Sequence, residues 1–392
     1  MAAACGFPTL AAPRLPRTRA ARTRTTFTAR AHAVRVGDDA PSDIPPNASV
    51  LVVGAAGRTG REVCRYCLSR GISVLAGTRD GAFDIAASLG EDIAAASIVP
   101  WTIPRVTPVE VDVTRPETVA RAIAAVGREN ENENEKTQTP TLVVFAATAP
   151  ARGDPDAVDH RGLAAVARAC VAADVSRLVV VSGAGVTARN RGAPAYRFLN
   201  AFGGRMDAKA RGEATVVAAF AESRRRFEVD NAANIERTTA LPRPSHPSYT
   251  IVRPSGLLET APRGVAGLAT NRGDVAAGFV ARADLAACAV ECGFDARCAF
   301  ASFEVYDRGT AVPTATLSVA EILSDPNVAR LASILTGQAL RESAALNAVF
   351  DASGAAARER DARAEEATRF ERAGFASWND VFAGIERDAL GS

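Results

Sequence analysis

No uninterrupted apolar run in these 392 residues approaches the ~18 that a membrane-spanning helix requires, so the sequence offers no candidate span. A surplus of charge is missing too. The formal net charge is +2, which argues against nucleic acid as the main partner. Lysine is almost absent: Lys136 and Lys209 are the only two, against abundant arginine. Acid is absent from the amino-terminal stretch until Asp38.

That acid-free stretch, MAAACGFPTLAAPRLPRTRAARTRTTFTARAHAVRVG, is rich in Arg, Thr and Ala. It has the composition of a transit peptide and lacks the apolar centre of a secretory signal. Its prolines and threonines favour a chloroplast address over a mitochondrial one; a disordered basic tail is the alternative. Residues 1–46 are therefore expected to be a leader and linker, with the fold starting near Asn47. The seven cysteines are expected to be structural. Cys64 and Cys67 share an apolar helical stripe with Val63 and Leu68, whereas a redox motif wants an exposed helix start. Cys288, Cys292 and Cys298 are read the same way, and no metal site is expected.

What the chain does have is the stretch VLVVGAAGRTGREVCRYCLSRGISVLAGTR, from Val50 to Arg79. It reads as strand, glycine-rich turn, helix, strand. Val50 to Val53 suit a strand buried on both faces. Gly54 makes the tight turn, Gly57 lets backbone approach a pyrophosphate, and Gly60 lets the helix pack close to the strand. The helix amino terminus, with Arg58 and Thr59, faces the phosphates with unpaired N–H groups and a positive dipole end. This spacing predicts a dinucleotide site. At the end of the second strand Arg79 points to NADP(H), because arginine pairs a 2′-phosphate bidentately and Arg58 stands nearby. Asp80 takes the acidic, NAD-type role if the strand ends one residue later, and a solvated loop charge is the plainer reading of Arg79.

The alternation continues. Strands are expected at Val109–Val113, Leu142–Ala147, Arg177–Ser182 and Tyr249–Arg253. Helices are expected at Arg115–Val126, Asp156–Ala173 and Arg205–Phe220. Such a pattern implies an α/β fold with a doubly wound parallel sheet. Three inserts interrupt it as surface excursions: Ala82 to Thr107, the apolar-free ENENENEKTQTP from Glu129, and Ser223 to Ser248. Past Arg253 the pattern loosens into a smaller substrate-side portion, with a helix at Arg282–Cys292 and a strand around Phe303–Tyr306. The domain is expected to close near residue 310, and residues 311–392 to form a helical extension. Its aromatics, Phe370, Phe375, Trp378 and Phe382, either dock the tail on the domain or present a partner-binding face.

The motifs VVGAAGRTG, VDVTRPETV around Asp112, VDHRG at Val158–Gly162, RLVVVSGAGV at Arg177–Val186, YTIVRPSGL at Tyr249–Leu257 and VARADLA at Val280–Ala286 resemble, in order, the atypical short-chain dehydrogenase/reductases of the NAD(P)H-binding type, a Rossmann family. The match spans roughly Asn47 to Asp307. The stretch PAYRFLNAFGGRMDAKARGEATV looks like the plastid import-associated NADP-binding reductase-like proteins. Biliverdin/flavin reductases and isoflavone-reductase-like proteins are more distant. The resemblance implies that Asp112 accepts a hydrogen bond from the adenine amine, unless it is a turn residue. Ala146 and Ala147 would border the ribose, or simply pack in the core. Ser182 and Gly183 end the fifth strand on the ligand side. Pro254 and Ser255 would line the nicotinamide, though Pro254 also stops a strand.

One departure stands out. Family members with ordinary dehydrogenase chemistry carry Tyr-x-x-x-Lys. The matching lysine is Lys209, but four residues before it stands Arg205, and Tyr196 is too far along the chain to share a helical turn with Lys209. Lys209 is the candidate catalytic and ribose-binding residue, a surface pair with Glu213 being the alternative. Two functions fit: an NADPH-dependent reductase of a flavin, quinone or enone, whose cofactor carries the hard chemistry, or a non-catalytic NADP(H) sensor binding a plastid complex through its tail. An epimerase or dehydratase is disfavoured, since that chemistry needs the tyrosine.

Overall fold

Along the first strand the side chains alternate between two separate cores, which is what a sheet covered on both faces requires. Val50 and Val52 pack on one side, Leu51 and Val53 on the other. The computed structural model describes residues 44–45, 48–98, 105–125, 141–234, 246–323, 326–336 and 371–388. Apart from Ile44 and Pro45, the leader lies outside the described residues, as do the ENENENEKTQTP segment with Lys136, the stretch 235–245, and Phe370.

The chain begins with β1 (Ser49–Val53), α1 (Arg58–Ser69) and β2 (Ser73–Thr78). Two short helices, α2 (Ile85–Leu89) and α3 (Glu91–Ile98), occupy the first insert before β3 (Val106–Glu110) and α4 (Pro116–Ala125). Then come β4 (Leu142–Phe145), a π-helical segment (Asp156–Gly162) running straight into α5 (Leu163–Ala172), and β5 (Arg177–Val181). Helices α6 (Pro194–Asn200) and α7 (Arg205–Asn234) precede β6 (Ser248–Arg253). Helix α7 therefore continues well into the third expected insert, which is in part helical. The arginine–carboxylate pairs Arg224–Glu228 and Arg226–Glu222, one turn apart, support that extension.

Next are β7 (Gly256–Leu258), β8 (Leu268–Asn271), β9 (Ala276–Ala277), β10 (Phe279–Ala281), α8 (Arg282–Phe294) and β11 (Ala301–Asp307). The chain then forms β12 (Val312–Pro313), α9 (Val319–Leu323), α10 (Pro326–Thr336), β13 (Arg372–Ala373) and α11 (Trp378–Phe382). The main sheet has the order β13-β8-β11-β6-β5-β4-β1-β2-β3. It is parallel from β3 through β11, and antiparallel where β8 and β13 add to its far edge. The order reverses between β1 and β4, which opens a crevice at their carboxyl ends.

Helices α1 and α8 cover one face through Val63, Cys64, Cys67, Leu285 and Cys288; α4, α5 and α7 cover the other through Ile123, Val166, Cys170 and Phe220. Six cysteines are buried free thiols. Burial pushes Cys64 up to about 12, and Cys67, Cys288, Cys292 and Cys298 upward as well.

The tail is not purely helical. Arg372 and Ala373 pair with Thr270 and Ala269, because β8 would otherwise be an edge with open ladder groups. Phe375, Val381 and Phe382 join the α1–α8 core, Trp378 stacks on Phe382, and Asp388 accepts hydrogen bonds from Tyr249 (2.8 Å) and Ser302 (2.7 Å). This part of the tail docks on its own domain. No helix among the described residues is long and apolar enough to cross a membrane.

Candidate functional site

The crevice at the sheet reversal is a cleft of about 780 Å³. Gly54, Gly57, Arg58 and Thr59 line it from the glycine turn, Arg79 and Asp80 from the end of β2, and Asp112 from beyond β3. Ala146 and Ala147 follow β4, Ser182 follows β5, and Lys209 and Ser255 complete the wall. Gly60 is a packing residue: a Cβ there would lie 2.2 Å from the carbonyl oxygen of Gly54, itself at φ +88°. Gly183 and Pro254 face a second cavity, which adjoins the cleft.

Several features make the cleft fit a dinucleotide. Helix α1 starts at Gly57 with no side-chain cap and no acid in its first turn, so its amino terminus is open to an anion. Asp80 also lines the cleft, and one of its carboxylate oxygens accepts the Ala82 N–H at 3.0 Å in a local turn. Arg79 is exposed and makes no ion pair with any described residue. Arg58 reaches Glu259 at 3.3 Å, and Arg282 holds the same carboxylate at 2.9 Å while donating to Thr59 Oγ1 at 2.8 Å. The two arginines therefore do not form a ready-made pair. The Arg58–Glu259 contact is half exposed and worth at most ~1 kcal/mol, so an anion can displace it.

Asp112 both lines the cleft and shapes its own turn. It accepts Thr114 N–H at 3.0 Å, Thr114 Oγ1–H at 2.7 Å and Arg115 Nε–H at 3.2 Å. Burial opposes its ionisation, but these hydrogen bonds outweigh it and hold the carboxyl below its ordinary range. Ala147 also plays two parts, packing against the core and crowding Gly54, whose Cβ would come within 2.9 Å of its Cα.

Lys209 does not pair with Glu213, which belongs to Arg253 at 2.8 Å. Its Nζ lies 2.8 Å from Asp159, a carboxylate only 3% exposed that also accepts Thr148 Oγ1–H (2.7 Å) and Ala149 N–H (3.0 Å). Burial raises the cost of that charge, yet Lys209 and the other donors keep the Asp159 carboxyl below its usual range. Two local features produce the contact. Asp159 sits in the π-helical segment, where the wider turn re-aims its side chain. Gly212, one turn beyond Lys209, lets α7 pack against that segment: a Cβ there would be 2.2 Å from the Asp159 carbonyl. The VDHRG motif contains Asp159, but sequence spacing alone gives no sign that its partner lies fifty residues on.

Arg205, in the place of the family tyrosine, turns away from the cleft. Its guanidinium donates to the carbonyls of Ala149 (2.9 Å), Pro150 (2.6 Å) and Ala151 (2.8 Å), pinning the loop after β4.

The second cavity, about 310 Å³, shares Ser182, Lys209, Ser255, Leu257 and Val328 with the cleft. Its remaining walls are mainly apolar and include Met206, Phe279, Leu317 and Ile322. Tyr196 stands in this wall with Lys209 although thirteen positions separate them, because α6 folds back beside α7. Its hydroxyl donates to Asp207, which also accepts from Asn200 at 2.8 Å. Burial and then the Asp207 carboxylate push the phenol up to about 12, so it remains protonated.

Residues 54–224 match the NAD(P)H-binding family. No curated protein matches the chain. Among solved structures, an oxidoreductase, ylbE, from Lactococcus lactis is 15% identical, with 71% of this chain and 96% of that chain covered and a TM-score of 0.45. ChuY, an anaerobillin reductase from Escherichia coli O157:H7, is 18% identical over 67% of this chain and 98% of its own, with a TM-score of 0.43. The Bordetella bronchiseptica enzyme WbmG, in complex with NAD, is 18% identical over 69% and 75%, with a TM-score of 0.40. The family match lies on the glycine turn, most of the residues that line the cleft and Lys209, so this part of the chain is similar to NAD(P)H-binding domains.

Proposed function

We propose that this protein is an NADPH-dependent reductase of a small conjugated acceptor, acting in a plastid. One observation carries the reading: the cofactor cleft adjoins, through Ser182, Lys209 and Ser255, a second and largely apolar cavity. A protein that only holds a dinucleotide has no use for such a chamber. When bound, the reduced nicotinamide supplies a hydride. The phosphate-bearing form is favoured because Arg79 is exposed beside the cleft while Asp80 is committed to its turn.

The chain's own residues hold the reacting groups. Lys209 keeps an ammonium at the junction of the two spaces, where its N–H groups can donate to a ribose hydroxyl or to the oxygen of the acceptor. Asp159 fixes its position and balances its charge, so the junction carries no net charge. Tyr196 stays protonated and bound to Asp207, so solvent supplies the proton that completes reduction.

One observation favours an alternative, a non-catalytic NADP(H)-sensing scaffold bound to a plastid protein complex. Arg205 replaces the acid–base tyrosine and is engaged in holding a loop. On the other side, the tail aromatics Phe375 and Phe382 are buried in their own domain and are not presented to a partner. Incubating the purified protein with NADPH and a panel of flavins, quinones and enones separates the two readings. Oxidation of NADPH is expected with an uncharged quinone or enone; tight binding with no oxidation on any acceptor would leave the scaffold.

A further inference from the structure

The polar side chains of the second cavity divide into two sets. Four line this cavity alone, and each is already engaged. The Asn190 amide donates to the carbonyl (2.7 Å) and the carboxylate (3.0 Å) of Asp274. Thr314 Oγ1 donates to the same carbonyl at 2.7 Å, Thr310 Oγ1 to the Asp307 carbonyl at 2.7 Å, and the Tyr196 hydroxyl to Asp207. The other three, Ser182, Lys209 and Ser255, also line the cofactor cleft, and these have donors to spare. Lys209 spends one of its three N–H groups on Asp159. Neither serine hydroxyl has a hydrogen-bond partner among the described residues, and neither is sealed from solvent.

Ser255 is held in place by backbone, which leaves its hydroxyl unspent. On one side the Pro254 carbonyl accepts the Ala184 N–H at 2.7 Å; on the other the Gly256 N–H donates to the Gly278 carbonyl at 2.9 Å. Gly256 then packs so closely on Phe279 that a Cβ there would lie 2.3 Å from the ring. The loop after β5 is fixed as firmly. Asp274 is fully buried, and its carboxylate accepts the N–H groups of Gly185 (2.5 Å) and Thr187 (2.8 Å).

Charge and size set the rest of the chemistry. Lys209 is the only charged residue in the cavity wall, and Asp159 already balances it. A charged ligand would lose its hydration and find no net counter-charge. The extension contributes Leu317, Ile322 and Val328 to a space of about 310 Å³, near the lower end of the ~300–1,000 Å³ of ligand cavities. Unspent donors therefore occur only where the two spaces meet, and a polar group placed elsewhere in the cavity finds apolar walls or groups already paired.

We infer that the acceptor enters with its single polar end toward the cofactor, and that Ser255 joins Lys209 in donating to its carbonyl oxygen, in the place of the missing tyrosine. The ligand is an uncharged enone whose far end is apolar. Hydride gained at the carbon β to the carbonyl moves the C=C electron pair onto the carbonyl oxygen, where these donors meet the developing charge. Water then protonates the α carbon, so the enone gains two electrons and NADPH loses two. The inference rests on reading this cavity as the substrate chamber.

The test is binding, measured by calorimetry on the full chain loaded with NADP+. The probes are benzylideneacetone, the diene in which a CH2 replaces its carbonyl oxygen, and its 4-hydroxy derivative. Benzylideneacetone is expected to bind ~10-fold more tightly than the diene, which leaves the junction donors unmet. It should also bind ~10-fold more tightly than the 4-hydroxy derivative, because in either orientation of that molecule one polar end lies among apolar side chains. Ser255→Ala should cut the preference over the diene to ~3-fold or less, whereas Ser255→Thr should keep it. Should Ser255→Ala fail to fold, Ser255→Cys, a weak donor of the same shape, takes its place. Equal affinities for enone and diene, or tightest binding of the 4-hydroxy derivative, would overturn the inference. A folded Ser255→Ala protein with the full preference would overturn the part given to Ser255. The expected ranking without turnover would instead count against the reductase reading and support the orientation inferred here.

Discussion

At the scale of single residues, the pair Lys209–Asp159 decides how any experiment on Lys209 must be read. Removing the ammonium strands a buried carboxylate, so Lys209→Met should cost ~3 kcal/mol of stability in urea unfolding. Asp159→Asn combined with Lys209→Met should recover most of that loss while NADPH turnover stays low. A Lys209→Met protein as stable as the parent would show that the pair is a solvated contact. Arg79 carries the second residue-scale prediction. Calorimetry should give NADPH at least ~10-fold tighter than NADH, a ~1.4 kcal/mol preference, and Arg79→Ala should abolish it with little effect on NADH. Equal affinities in the unaltered protein would remove Arg79 from the site. The residues of the glycine turn, Arg79, Asp112 and Lys209 were all legible in the sequence, because each belongs to a short motif with its own local mechanism. Asp159, Asn190, Asp274 and Tyr196 were not. Their parts depend on contacts made across the fold, such as Gly212 letting α7 meet the π-helical turn, and no local spacing encodes these.

At the scale of elements, alternation of strands and helices up to β6 was legible because most of the parallel strands are short apolar runs bounded by polar turns; β3 (VTPVE) is not such a run, and it spans Val106–Glu110, three residues before the expected Val109–Val113. The boundaries of α7 and the nature of the tail were not. Arg224 to Arg226 read as a solvated insert, whereas Glu222 and Glu228 turn those charges into pairs along a continuing helix. Strand β13 is two residues long and exists because β8 offers an open edge, a fact of topology and not of propensity. Docking of the tail is directly measurable. Phe382 is 1% exposed, packed against Phe303 and Trp378, so Phe382→Ala should lose ~3–5 kcal/mol of stability. A loss below ~1 kcal/mol would mean that the tail is only loosely held and available to a partner.

At the scale of the whole molecule, one buried charge cluster should set the alkaline side of the stability profile. Glu304 is fully buried; burial first, and then Asp274, push its carboxyl up to about 8 despite Arg253 at 3.4 Å. The unfolded chain releases this proton near ~4.5, the native state only near 8, so the native state binds the extra proton between them. The proton's contribution is thus intact below ~4.5 and lost as pH rises through 8. Glu304→Gln should therefore gain stability over the parent progressively from pH 5 to pH 8, read from urea midpoints; a constant difference across that range would refute the assignment. Addressing is a separate matter. A fluorescent fusion of the first ~45 residues is expected in chloroplasts, whereas mitochondrial signal would move the compartment and cytosolic signal would remove it. The central claim is that hydride leaves a cofactor in the cleft for an acceptor in the adjoining cavity. Its most direct test is transfer of label from NADPH deuterated at the nicotinamide C4 to benzylideneacetone, followed by mass spectrometry of the product. The account predicts deuterium on the carbon β to the carbonyl; bound NADPH with no label in any product would contradict it.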